Sequence, residues 1–319
     1  MTTTQTTKGA ERSRGGFGSS KGGTGDKVFS GAAVTAGIVI LVVLFAVAAF
    51  LIGQAVPALV APQSEIAGGK GFWAYIGPLV VGTVIAAAIA LIIATPISIG
   101  VALFISHYAP RALAQILGYV IDLLAAIPSV VFGAWGISFL APAVVPGYTW
   151  LASTLGWIPI FAGPASATGK TIFTASIVLA VMVIPIITSI TREIFLQTPT
   201  LHEEAALALG ATRWEMVRMT VFPFARPGVI SAIMLGLGRA LGETMAVALV
   251  LSSGPLIASL IRSGNQTIAA EIALNFPEAT GLSLSQLIAA GLVLFVITLA
   301  VNVVARWVIS RHKEFSGAN

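Results

Sequence analysis

Cysteine is absent from the 319 residues, which excludes disulfides, thiolate nucleophiles and cysteine-held metals. Charge is scarce too: Asp, Glu, Lys and Arg make up 9% of the chain against 57% apolar residues, and mean hydropathy is +0.97. Soluble domains carry about 25% charged residues, so this shortage excludes a water-solvated surface. The chain is an integral membrane protein. Histidine is rare as well: His107, His202 and His312 lie at the edges of apolar runs without metal-ligand spacing, and solvated interfacial positions are expected for all three.

What is present is a set of long apolar runs. A helix needs about 20 apolar residues to cross a hydrocarbon core of about 30 Å. Six runs qualify, at about 30–53, 76–105, 113–140, 171–190, 228–252 and 286–309. The expected fold class is all-α, with six transmembrane helices in a domain covering 28–313. Residues 1–27 are rich in Gly, Ser, Thr and Lys and lack apolar periodicity, which predicts a disordered tail. The first run is longer than a signal-peptide core and predicts an uncleaved span.

Positively charged loops stay cytoplasmic, so the basic residues set the orientation. Lys8, Arg12, Arg14, Lys21, Lys27, Arg111, Arg192, Arg213, Arg218, Arg226, Arg306, Arg311 and Lys313 fall on one side, thirteen of the seventeen. Lys70, Lys170 and Arg262 fall on the other, and Arg239 lies within a span. Both termini, including residues 314–319, are thus expected in the cytoplasm of a prokaryotic cell. The net charge of +5 follows from topology and gives no reason to expect nucleic acid as a partner.

The stretch "TPTLHEEAALALGATRWEMVRMTVFPFARPG", residues 198–228, is the longest cytoplasmic connection. Thr200 with Glu203 and Thr212 with Glu215 have the spacing of two capping boxes, predicting two short helices. Gly210 fits the left-handed turn between them, and Pro223 and Pro227 are expected to close the second. The first helix combines Ala205, Ala206 and Ala208 with Leu201, Leu207 and Leu209, a surface suited to a groove in a partner.

Within the fifth apolar run lies "MLGLGRALGETMAV", residues 234–247. Counted from Gly228 at about 1.5 Å per residue, Arg239 falls near the bilayer centre. Glu243 is expected one turn further, on the same helix face. A charge at that depth costs about 2.5–3.5 kcal/mol on the lenient insertion scale and must face protein or a wet path. Arg before Glu is the weaker order for a helical pair, worth a few tenths of a kcal/mol. Mutual neutralisation is poor compensation, so a place on a substrate path is the stronger reading. Gly236, Gly238 and Gly242 leave the surrounding surface thin enough for a helix or a substrate to approach.

Lesser candidates are Asp122, at the start of the third run, Ser129 beside the ladder-breaking Pro128, and Thr244, expected to bond back to the preceding turn. The segment "GPASATGKT", 163–171, imitates a phosphate-binding loop, but five residues separate Gly163 from Gly169 where four are needed, and no strand precedes it. It is assigned to an outer loop. With segment 253–285 and the rest of 141–170 it offers a landing surface for a soluble receptor.

Glu204-Ala205-Ala206, then Gly210, then Pro223 match in spacing the EAA loop of ABC importer permeases, although Thr220 and Phe222 stand where that family prefers Ile and Leu. "DLLAAIPSVVFGAWG" (122–136), the 234–247 stretch and "IAAEIALNFPEATGLSLSQLIAAGLVLFVITLAVNVVAR" (268–306) resemble the PstC group of phosphate importer permeases, members of the binding-protein-dependent, MetI-like family. Trp135-Gly136 and the string from Gly238 to Met245 favour that group over the homologous PstA group.

The resemblance implies a six-span MetI-like permease without catalytic residues, metal ligands or a cofactor of its own, ATP and Mg being bound by a partner ATPase. It implies a heterodimer with a PstA-like permease on two PstB-like ATPases, fed with inorganic phosphate by a PstS-like receptor. Glu203, Glu204, Ala205, Ala206, Gly210 and Pro223 would couple to the ATPase. Arg239, Glu243, Ser129, Asp122 and Thr244 would line the path. A secondary transporter or channel leaves the alanine-rich loop unexplained, and an intramembrane enzyme would need a nucleophile and base that no span supplies. A permease of the same family with another oxyanion as cargo is the closer alternative, since arginine alone does not separate phosphate from sulfate or molybdate.

Overall fold

The structure is a computed structural model and describes residues 24–66, 69 and 71–311, with no side-chain account of 24, 305 and 308–311. Residues 1–23, which hold most of the expected tail, lie outside the described residues, as do Lys70, His312, Lys313 and 314–319. Twelve α-helices are seen among the described residues, and no strand. Helix α1, Thr24–Val60, begins inside the expected tail. The chain divides into two units after Phe50. In the first, α1 is apolar beyond its first turn, which holds Asp26 and Lys27, and Thr35 turns its hydroxyl back to the Gly31 carbonyl at 2.8 Å, the ordinary way to hide a polar group on a lipid-facing helix.

The second unit holds the remaining elements. Helix α2 is Phe72–Leu103, prolonged by a π turn over Phe104–Tyr108; α3 is Arg111–Ala125; α4 is Ser129–Trp135, running through a π turn, Gly136–Leu140, into α5, Ala141–Leu155. Helix α6 is Ile172–Leu196, α7 Thr200–Ala208 and α8 Arg213–Met216, which passes through a π turn, Val217–Val221, into α9, Phe222–Leu241. After α10, Met245–Val250, and α11, Ile268–Asn275, the chain ends in α12, Leu282–Arg311.

Among the described residues, six helical stretches are long and apolar enough to span a membrane: Gly25–Val60, Phe72–Tyr108, Ser129–Leu155, Ile172–Leu196, Arg213–Leu241 and Leu282–Val304. The third is a correction, since one span was expected over 113–140. Pro128 lacks an N–H and pushes Ile127 away from helical backbone, so the ladder stops at Ala126 and restarts at Ser129. Helix α3 is consequently separate, and the span continues to Leu155 through what was expected to be outer loop.

Helix α6 is the centre of the core. Ala86, Ala87, Ala90 and Ala94 of α2 lie against its Ala175, Val178, Leu179, Met182 and Val183, all buried. Lipid tails are as apolar as these side chains, so the helices are held by close packing, which small residues permit. Gly236 of α9 continues the pattern: a side chain there would strike Val183 and Ile187.

A second cluster, Ala102, Phe195, Ala206, Met216, Val217, Val221 and Ala225, joins one end of α2 and α6 to the α7–α8 connection. The Thr212–Glu215 capping box is present in full: the hydroxyl accepts from the Glu215 N–H at 3.3 Å, and the carboxylate accepts from the Thr212 N–H at 2.8 Å. The expected box at Thr200 is not formed. Pro199 takes the cap position, and Thr200 is already helical. Gly210 ends α7 at φ +87°, as its left-handed assignment requires. Pro223 and Pro227 do not terminate a helix. The π turn over 217–221 absorbs the hydrogen bond that Pro223 cannot make, and one helix runs from Arg213 to Leu241.

At the opposite end, the false phosphate loop packs on the segment after α10. Ser166 N–H donates to the Ile261 carbonyl at 2.9 Å and Leu260 N–H to that of Ile160 at 2.8 Å.

Candidate functional site

Five positions of α9, Ser231, Met234, Leu235, Gly238 and Arg239, recur at the spacing of one helix face. They line a cavity of about 710 Å³ together with Ala125, Ile186, and Asn302 and Arg306 of α12. Arg239 is exposed on this face, and among the described residues no carboxylate lies within ion-pair distance of it. A permanently charged guanidinium on an apolar span therefore opens into a cavity without a counter-ion.

Glu243 does not extend the face. Helix α9 ends at Leu241, and Gly242–Thr244 form a break before α10. Glu243 is 9% exposed and its Oε1 accepts from the Ala246 N–H at 3.1 Å, capping the first turn of α10. The expected one-turn stacking on Arg239 is thus replaced by a capping contact. Thr244 makes no side-chain bond to the preceding turn. The three glycines divide: Gly236 admits α6, Gly238 borders the cavity, and Gly242 lies in the break.

Ser129 opens α4 directly after the Pro128 break and is half-buried, outside the cavity lining. Asp122, on α3, is also apart. Its carboxylate lies 3.6 Å from Arg192, which in turn bonds Glu193 at 2.7 Å. These residues, with Arg111, Gln115 and Tyr119, border a different cavity of about 480 Å³.

Helix α7 has two faces. Ala206 is buried in the second core cluster, and Glu203 Oε1 lies 3.4 Å from Nε2 of His107, whose Nδ1 lies 2.7 Å from the Ser106 hydroxyl. The opposite stripe, Leu201, Glu204, Ala205 and Ala208, is exposed, and Leu209 beyond it is 90% exposed. The Glu-Ala-Ala run therefore splits by period: position 206 anchors the helix, and 204 and 205 face outward. His107, expected to be solvated, is instead 8% exposed at its side chain. The π turn that ends α2 swings it inward, a distortion no periodicity reveals. Arg306 and Asn302 were also missed as site residues, Arg306 having been counted only as a marker of orientation.

Residues 94–314 match the family described as binding-protein-dependent transport system inner membrane component. The chain belongs to this family. It is 45% identical over 295 residues, 88% of this chain and 91% of the relative, to a protein of Mycobacterium tuberculosis named phosphate transport system permease protein PstC 2. A PstC of Xylella fastidiosa strain Temecula1 is 44% identical over 241 residues, 74% of each chain. Among solved structures, a bacterial alginate ABC importer chain superposes with a TM-score of 0.56 at 16% identity, covering 90% of this chain and 98% of that one. A chain of the inward-facing MetNI methionine transporter gives 0.51 at 16% identity, over 76% and 97%.

The chain is a multi-pass membrane permease subunit of an ABC importer with the MetI-like fold, and it falls within the PstC group. It is a transport subunit, not an enzyme, and ATP hydrolysis belongs to a separate subunit.

Proposed function

We propose that the chain forms half of the path by which inorganic phosphate enters a prokaryotic cell, and that it is coupled to ATP hydrolysis through α7. The observation that carries this reading is Arg239, a guanidinium at membrane depth facing a cavity with no acidic partner. Such a group costs several kcal/mol unless something compensates it, and a passing anion does so. Its planar fork matches the oxygens of phosphate in paired, charge-assisted hydrogen bonds. The names of the relatives support phosphate as the anion.

A PstA-like permease completes the path, and a PstS-like receptor delivers phosphate where the 160–173 and 253–267 segments meet. Both termini and α7 face the cytoplasm, because thirteen of the seventeen basic residues lie on that side. The exposed stripe of Leu201, Glu204, Ala205 and Ala208 enters a groove of a PstB-like ATPase, which binds ATP and Mg. Glu203 and Ala206 hold α7 from behind, Gly210 sets its end, and Pro223 fixes the π turn beneath it. Ser129 and Thr244, each at a helix restart, sit where freed backbone groups face the path, while Glu243 and Asp122 act by holding α10 and α3.

The test is ATP-dependent uptake of labelled phosphate by liposomes holding this chain with PstA-like, PstB-like and PstS-like partners. Arg239→Ala abolishes uptake while the ATPase still assembles, and Glu204→Lys separates ATP hydrolysis from uptake. Normal uptake by Arg239→Ala would overturn the assignment of the path.

A further inference from the structure

Arg239 is not the only cation on its cavity. Arg306 and Asn302 lie one turn apart on α12 and border the same space. Arg306 is exposed, and among the described residues no carboxylate lies within ion-pair distance of it. Consecutive spans cross in opposite directions, so Arg306, just past the apolar window that closes at Val304, lies toward Ser231, at the other end of the α9 face from Arg239. Ser231 and Arg239 are eight residues apart, which is about 12 Å along a helix.

We propose that Arg306, Asn302 and Ser231 form a second binding station for a tetrahedral oxyanion, one step from Arg239 toward the cytoplasm. The inference rests on the path proposed above and adds residues to it. On the cytoplasmic side of Arg239, a second unpaired cation gives the released anion a partner on its way out. The chemistry of the station suits hydrogen phosphate. Arg306 supplies donors for charged oxygens. Ser231 spends its hydrogen on the Pro227 carbonyl at 3.0 Å, leaving its oxygen to accept, and the Asn302 amide both donates and accepts. A P–OH group thus finds an acceptor, which an unprotonated oxyanion such as sulfate cannot use.

The experiment compares phosphate turnover per assembled complex in liposomes for wild type, Arg306→Gln, Arg306→Lys and Arg239→Ala. Arg306→Gln is expected to lower the maximal rate about tenfold, the weight of one charge-assisted hydrogen bond, at unchanged KM, with Arg306→Lys recovering most of it. Wild-type turnover in Arg306→Gln beside an inactive Arg239→Ala overturns the second station alone; wild-type turnover in both overturns the path itself.

Because the chain has no cysteine, Asn302→Cys places a single thiol in it at the station. In the detergent-purified complex, a negatively charged thiol reagent is expected to label this position faster than a positively charged one, with inorganic phosphate slowing the labelling. Protection by phosphatidylglycerol but not by inorganic phosphate would make Arg306 a lipid-headgroup anchor and overturn the proposal.

Discussion

The guanidinium of Arg192 lies where a side chain at Gly118 would begin. A Cβ on Gly118 would collide with Nη1, the far end of a flexible side chain, so the guanidinium rests on α3 because position 118 is bare and would have to move aside for a methyl group. Gly118→Ala therefore displaces the guanidinium and leaves the helix contact in place, a surface-like change of about 0.5 kcal/mol or less. It drives Arg192 off Asp122 and Glu193, though these pairs contribute little themselves, being 51% and 59% exposed at their carboxylate side chains. The expected outcome is a nearly unchanged Tm for the purified chain, with the guanidinium released from Asp122 and Glu193, and no further change when Arg192→Ala is added in the double variant. A clearly lower Tm in Gly118→Ala that Arg192→Ala relieves would mean that the guanidinium is fixed and cannot move aside.

His107 and Glu203 give the second prediction. The hydrogen bond is long at 3.4 Å, so its loss costs about 1 kcal/mol, too little to unfold the chain. It joins α2 to α7, however, and if α7 docks on an ATPase the joint sets how firmly the two move together. His107→Leu is expected to raise ATP hydrolysis in the absence of phosphate while lowering phosphate moved per ATP. His107→Gln, which can still donate to Glu203, should stay near wild type. Equal behaviour of the two variants would assign His107 to packing against Phe195, its ring neighbour at 6.3 Å.

A third concerns Glu243, whose observed partner is a backbone N–H and not Arg239. The amide oxygen of a glutamine accepts the same hydrogen bond, so Glu243→Gln should keep both stability and transport. Glu243→Ala removes a cap worth about 1 kcal/mol and leaves the first turn of α10 to fray. Thermal unfolding and uptake measured on both variants decide it: transport lost in Glu243→Gln with unchanged Tm would assign the function to the charge.

Much of this was legible in the sequence, and the failures share a cause. Six spans, the Gly210 turn and the Thr212–Glu215 cap follow from apolar length and from local hydrogen bonding, which neighbouring residues decide among themselves. Pro128 was recognised as a breaker, yet the apolar run on both sides of it hid that α3 is a separate helix and that the span begins after the proline. The stacking of Glu243 on Arg239 presumed an unbroken helix, and nothing local announces the break at Gly242–Thr244. Arg306 counted for its charge alone. Only the packing of α12 on α9 brings it to the cavity of Arg239, and a cavity shared across 67 residues leaves no trace in spacing.

The joint between α2 and the segment leading into α11 gives the last prediction. A side chain at Gly82 would collide with the carbonyl oxygen of Gln266, and the adjacent Thr83 hydroxyl accepts from the Ile268 N–H at 3.0 Å while donating to the Leu79 carbonyl at 2.7 Å. Non-helical backbone at membrane depth persists only where protein or a wet cavity satisfies its polar groups, so these two residues act as a seat for 265–268. Thr83→Val keeps the volume and removes the acceptor, leaving the Ile268 N–H buried without a partner at a cost of about 1–3 kcal/mol. Gly82→Ala keeps the acceptor and displaces the carbonyl instead, which no rotamer change can relieve because the obstacle is backbone. Both should lower Tm, but only Gly82→Ala should also shift Asn265, whose side chain bonds the Ile257 backbone at 2.9 and 3.1 Å. Hydrogen exchange read at Ile257 distinguishes them: faster exchange in Gly82→Ala and native exchange in Thr83→Val is the expected pair, and native exchange in both would show that the loop is held by Asn265 alone.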